Sequence, residues 1–309
     1  MIFDHYFAKA IKKALGGRGD GSPTLPYWTA EELGMSTSPF EFYSGKWKLR
    51  GFRYWMGNDR PKGVAIFFHG LGSAENAYTK QIALLAKQGY LVYAYDNTAS
   101  GMSEGDAIPD LTQTLLDQEA FFDFLDKDKE AAGLPRIAMG HSWGGFTALC
   151  ALQPEYHVEK VVSFAGFHSV IGAMLFSAPS LKKIAPLIVS YQKRRFKPFG
   201  GLDALDLMKK TEAKVLYIQG DKDEAVSFKD NYLVFEKELK NRPNIVLLRR
   251  KGYGHMPYWT KKSEEYFYHL VSKEKVSSFD RDPNLKIDMG LLNQSDPEVE
   301  QAIIDFLKD

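Results

Sequence analysis

Two copies of the pattern Gly-x-Ser-x-Gly stand in the chain, Gly101-Met-Ser103-Glu-Gly105 and Gly140-His-Ser142-Trp-Gly144, and each could present a nucleophilic hydroxyl. The chemistry needs more than the motif. A serine that attacks a carbonyl sits on a sharp turn between a buried strand and a helix, which lifts its hydroxyl clear of the sheet. Ser142 has that context, with Ile137, Ala138 and Met139 before it and a helical start in Gly145 to Leu149 after it. Ser103 follows the polar run Asn97 to Ser100 and leads toward Pro109, the setting of an ordinary turn.

A serine hydroxyl is a weak nucleophile until a base takes its proton and an acid orients the base. His255, in Gly252-Tyr-Gly-His255, follows an expected strand Ile245 to Leu248; the acidic cluster Asp221, Asp223 and Glu224 follows an expected strand Lys214 to Gln219. Singly, a loop histidine and an acidic turn have plain structural explanations. In the order serine, acid, histidine, each beyond the carboxyl end of a strand, they suit an acyl-transfer site. Donors for the developing oxyanion would be two backbone N–H groups, that of Leu71 in His69-Gly70-Leu71-Gly72 and that of Trp143.

Holding these residues together requires a regular scaffold. Val64 to Phe68 is a short continuous apolar run, the signature of a strand buried on both faces. A helix over Asn76 to Gln88 stops at Gly89. Then follow a strand Leu91 to Tyr95, a helix Leu111 to Phe124, a strand Arg136 to Met139, a helix Phe146 to Leu152 and a strand Val158 to Phe164. Ser295-Asp-Pro-Glu298 reads as a capping box opening a last helix. Strands alternating with helices predict an α/β fold, a mostly parallel sheet covered on both faces. Trp47 to Trp55 reads as a strand or hairpin at the sheet edge, and residues 16–43 as an irregular connection.

Two segments break the alternation. Residues 167–212 hold apolar helical stretches around Ile171 to Phe176 and Leu181 to Ile188, as an inserted helical cap would. Ile171, Met174, Leu175, Phe176, Leu187 and Ile188 could line an apolar pocket or simply bind the cap to the core. The insertion carries an excess of five positive charges, most simply a solvated face. Met256 to Gln294 forms the second excursion, with Tyr258, Trp259, Tyr266, Phe267 and Tyr268 suited to packing an added helix.

Composition bounds the rest. The 309 residues are 44% apolar and 26% charged, enough for a large core. Forty basic against thirty-nine acidic residues remove a global electrostatic case for nucleic acid or an anionic membrane. The lone Cys150 forbids an internal disulfide framework and is expected as inert core. His5, His157, His168 and His269 show no ligand spacing, so neither metal nor cofactor is implied. No run reaches the roughly 18 apolar residues of a membrane helix. Met1 to Leu15 lacks the apolar core of a secretory signal, and Phe3, Phe7, Ile11 and Leu15 fit an amphipathic helix lying on a membrane or on the protein body, the body being the commoner outcome. The expected location is cytoplasmic.

From about residue 45 onward, the chain resembles the α/β-hydrolase superfamily, in particular the serine hydrolases that include monoacylglycerol lipases, carboxylesterases and serine aminopeptidase-like proteins. Four landmarks carry the resemblance in order: His69 to Gly72, Gly140 to Gly145, Gly220 to Val226 and Gly252 to His255. The stretch Asp96 to Ser103 resembles a further family feature, with Ala99 in place of a glycine. The resemblance implies an α/β-hydrolase fold with core segments 44–166 and 213–309, a cap at 167–212, and an extension at 1–43. It implies Ser142, Asp223 and His255 as the catalytic triad, with Asp223 taken ahead of Asp221 and Glu224. The implied substrate is a small-molecule carboxylic ester of small to medium acyl chain. A thioesterase, a peptidase or a catalytically silent binder would use the same scaffold.

Overall fold

The computed structural model describes residues 17–20, 25–273 and 285–308. Eight strands form one sheet: β1 (Ser36–Ser44), β2 (Trp47–Trp55), β3 (Gly63–Phe68), β4 (Tyr90–Tyr95), β5 (Arg136–His141), β6 (Val158–Phe164), β7 (Lys214–Gly220) and β8 (Ile245–Arg250). Their order is β1-β2-β4-β3-β5-β6-β7-β8. β2 pairs antiparallel with both β1 and β4, and every other pair is parallel. The central strands β3 and β4 are buried at every residue, which is why they read as unbroken apolar runs.

Helices cover both faces. On one side α2 (Gln113–Leu125), α3 (Trp143–Cys150), α6 (Ala204–Lys210) and α7 (Tyr232–Leu239) pack through Phe121, Phe146, Met208 and Phe235. On the other, α1 (Thr79–Lys87) and α9 (Pro297–Lys308) contribute Ile82, Leu85, Val299 and Ile303. This is the α/β-hydrolase architecture that the sequence implied. Cys150 is a buried free thiol in the first of these clusters, and burial raises its pKa well above the ordinary value.

Between β6 and β7 the chain forms α4 (Val170–Ser177), α5 (Ala185–Arg195) and α6, with a 3-10 turn at Pro179–Ile184. α6 returns to the core through Ala204, Leu205 and Met208. After β8 comes α8 (Lys261–Ser272), the helix that the aromatic-rich excursion suggested.

Two expectations need correction. Residues 36–44 are not irregular: β1 pairs with β2 along nine residue pairs, Ser36 to Ser44, and buries Phe40 and Phe42 against Phe121 and Phe124. Its Ser-Thr-Ser-Pro start mimics a turn, and Pro39 is tolerated because β1 is an edge strand. The box at Ser295 does not form. Asp296 caps α9 instead, accepting from the Glu298 and Val299 N–H groups, while Glu298 turns to Arg250. Helix α7 was not among the expected elements. The expected helix at Met1 to Leu15 lies outside the described residues.

Candidate active site

The loops after β3, β5, β7 and β8 converge at the carboxyl edge of the sheet. After β5 the backbone turns at Ser142 with φ 57° and ψ −116°, and α3 begins at the next residue. Such a conformation is costly for a residue bearing a Cβ, so the surroundings must hold it. They do so through the Ser142 N–H, which donates to the Phe164 carbonyl at 2.8 Å, and through the close approach of Gly144 to β3. A Cβ on Gly144 would lie 2.0 Å from the Phe68 carbonyl oxygen. Trp143 is the first residue of α3, where a backbone N–H has no intrahelical partner.

After β7 the Asp223 carboxylate is buried and accepts from the Ala225 and Val226 N–H groups, both at 2.9 Å, and from Gln219 Nε2 at 3.3 Å. His255 Nδ1 lies 3.0 Å from each of its oxygens. Burial pushes the Asp223 carboxyl up, but the neighbouring imidazole and the hydrogen bonds outweigh it and leave its pKa below the ordinary value. The rival acids are engaged or remote: Asp221 pairs with Arg249 at 2.8 Å and caps the Gly252 N–H, while Glu224 is exposed. Gly220 lets the two loops meet, since a Cβ there would lie 2.2 Å from the carbonyl oxygens of Tyr253 and Gly254.

Ser142 and His255 line one pocket of about 330 Å3 together with Gly70, Leu71 and Gly72. Among the described residues no hydrogen bond joins the Ser142 hydroxyl to the His255 ring. The second Gly-x-Ser-x-Gly copy lies elsewhere. Ser103 is buried in a turn, its hydroxyl donating to the Asp96 carbonyl at 2.6 Å and accepting from the Arg50 N–H at 2.9 Å. His168 pairs with Asp203 at 3.0 Å where the insertion leaves the core.

Three residues around the site had not been singled out. His141, buried beside Ser142, sets its Nε2 2.9 Å from the His255 carbonyl oxygen and its Nδ1 3.0 Å from the Tyr78 hydroxyl. A carbonyl can only accept, so the proton is on Nε2, Tyr78 donates to Nδ1, and the Gly70 N–H donates to Tyr78 at 3.1 Å. Burial and the nearby His255 push the His141 pKa down to about 3, so its ring is neutral. This chain ties the Gly70 loop, the Ser142 turn and the His255 loop into one unit. Glu264 of α8 does the same from outside: its buried carboxylate accepts from Gly254 N–H at 2.9 Å and Met256 N–H at 3.3 Å, bracketing His255. A histidine inside the Gly-x-Ser-x-Gly motif was the one signal available for the first device. Nothing local marks Glu264, nine residues past its target.

A family model described as serine aminopeptidase, S33, matches residues 59–242. Human monoglyceride lipase is 32% identical over 143 residues, 45% of each chain. Monoacylglycerol lipase of Mycolicibacterium smegmatis is 31% identical over 139 residues, 43% of this chain and 49% of that one. The matched stretch thus spans about half the length of these curated relatives. Among solved structures, a Pyrococcus furiosus esterase aligns with a TM-score of 0.62 at 18% identity, over 94% of this chain and 97% of that one. An acylaminoacyl peptidase of Pyrococcus horikoshii aligns with a TM-score of 0.56 at 20% identity over 72% of this chain and 37% of that one. At such identities the likeness concerns the fold.

Proposed function

Because the chain belongs to the serine aminopeptidase S33 family of α/β-hydrolases, we propose that it is a serine hydrolase of the lipase and esterase type, cleaving carboxylic esters of small to medium acyl chain. The observation that supports this most is the pairing of His255 Nδ1 with the buried Asp223 carboxylate at 3.0 Å, on the wall of the pocket that Ser142 shares. With Nδ1–H donated to Asp223, the imidazole leaves Nε2 bare to take a proton.

In this reading His255 Nε2 takes the Ser142 hydroxyl proton as Oγ bonds to the ester carbonyl carbon. The carbonyl electrons move onto oxygen, held by the Leu71 and Trp143 N–H groups. Collapse expels the alkoxide, which leaves as the alcohol with the proton from His255. A water, giving its proton to the same nitrogen, then releases the acid and restores Ser142. Asp223 stays ionised throughout and stabilises the imidazolium, in keeping with its lowered pKa. The hydrogen bond between nucleophile and base often closes only with substrate present. Residues 167–212 would serve as a cap over the core.

A fluorophosphonate probe should label the wild type and not Ser142→Ala, and p-nitrophenyl ester hydrolysis should fall by about 10^6-fold in that variant. Labelling that persists in Ser142→Ala refutes the assignment. Parallel assays with acyl thioesters and aminoacyl amides check the leaving-group preference, with esters expected to be fastest.

A further inference from the structure

The walls of the pocket beside Ser142 come from an unexpected part of the chain. Among the described residues none of 167–212 lines it. Its apolar lining includes Leu25, before β1, Phe267 and Val271 on α8, and Trp259 and Leu292 on either side of that helix. In the inserted helices, Phe176 and Leu187 are exposed and Ile188 is buried.

Both walls are anchored. The segment before β1 is tied to the core on each side of Leu25: the Gly19 N–H donates to the Ala99 carbonyl at 2.7 Å, Arg18 binds the carbonyls of Gly101 and Ser103, and the Trp28 carbonyl accepts from Thr79 Oγ1 at 2.6 Å. A Cβ on Gly19 would lie 3.4 Å from the Gly72 backbone nitrogen, so Gly19 lies directly against the loop that carries Leu71. Helix α8 is capped by Thr260, which accepts from the Ser263 N–H, and is fixed to the His255 loop by Glu264. Phe267 and Val271 follow Glu264 by three and seven residues, the spacing of one helical face.

We propose that the acyl chain of the substrate lies between Leu25 and α8, and that Phe267 and Val271, rather than the inserted helices, limit its length. The inference rests on the serine-hydrolase reading and extends it. In that reading the acyl group is bonded to Ser142 Oγ after the alcohol departs and until water releases it, so the apolar residues that share the pocket with Ser142 suit the acyl part. A cavity of about 330 Å3 is at the lower end for small-molecule sites and fits a medium, unbranched chain without a bulky partner.

The test is a series of p-nitrophenyl esters from acetate to laurate, with a parallel series of alkyl acetates in which only the alcohol lengthens. Variants are Val271→Trp, Phe267→Ala and Leu187→Ala, each checked for folding by its thermal transition and for intact sites by fluorophosphonate titration. Losing room for one methylene costs roughly 10- to 200-fold in a hydrophobic site. Val271→Trp should therefore lower the octanoate-to-acetate ratio of kcat/KM at least tenfold, and Phe267→Ala should move the optimum to longer acyl chains. Leu187→Ala should leave the ratio unmoved. Leu25→Ala, at a half-buried position, gives an independent measure should Val271→Trp fail to fold; it should flatten the acyl profile. Unchanged acyl profiles in the folded variants, or effects confined to the alcohol series, overturn the proposal while leaving the hydrolase reading standing. Absence of Ser142-dependent hydrolysis with every ester overturns both.

Discussion

Ser142 occupies a backbone conformation that its own side chain disfavours, and its neighbours share the work of holding it there. Asp223 is placed to hold the proposed base in one orientation and tautomer. Asp223→Asn should keep the fold while lowering kcat for ester hydrolysis by about 10^4-fold, read under saturating substrate. His141 makes a different prediction, one of linkage. Its folded pKa of about 3 lies below the ordinary 6.5, so between these values the unfolded chain binds a proton that the folded one refuses. Its stabilising contribution is full above pH 6.5 and declines as the pH falls toward 3, by about 1.4 kcal/mol per pH unit. The gap in unfolding free energy between wild type and His141→Gln should therefore narrow between pH 6.5 and 4.5. A gap that stays constant over this range would show that the ring is not the proton-refusing group.

At the scale of elements, the Ser142 turn, the Asp223 loop and the His255 loop are held by close backbone contacts that only small residues permit. Gly144→Ala would drive a methyl into the Phe68 carbonyl and should cost about 3 kcal/mol or more in urea denaturation. Gly57→Ala, with open space around it but a φ of +71°, should cost only about 1 kcal/mol. Helix α8 acts on the site from the side. Glu264→Gln keeps the size but weakens the charge-assisted bonds to the Gly254 and Met256 N–H groups. We expect faster amide hydrogen exchange at both residues together with a lower kcat. Unaltered exchange would mean that the loop is fixed by other contacts, such as the His141 bond to the His255 carbonyl.

On the scale of the whole molecule, one sheet separates two apolar clusters, and the site sits where four strands end between them. Phe121→Ala on one face and Ile303→Ala on the other each remove a fully or nearly buried side chain and should cost about 2–5 kcal/mol. If the shared sheet makes the fold cooperative, both variants lower the midpoint of a single denaturation transition without changing its slope. The alternating strands and helices of the core, the turn around Ser142 and the order of serine, acid and histidine were legible in the amino-acid sequence, because buried parallel strands and strand-end loops leave local patterns in residue type. Edge strand β1 was hidden by turn-forming residues that an edge tolerates. The preference for Asp223 over Asp221 and Glu224 depended on family likeness, and the contact of the Asp223 carboxylate with His255 was not readable from the sequence. The partners of His141, the Glu264 clamp and the pocket walls from Leu25 and Phe267 belonged to the tertiary structure alone. Contacts between segments separated by up to more than two hundred residues depend on how the chain packs in space, and such packing writes no local period or motif into the sequence.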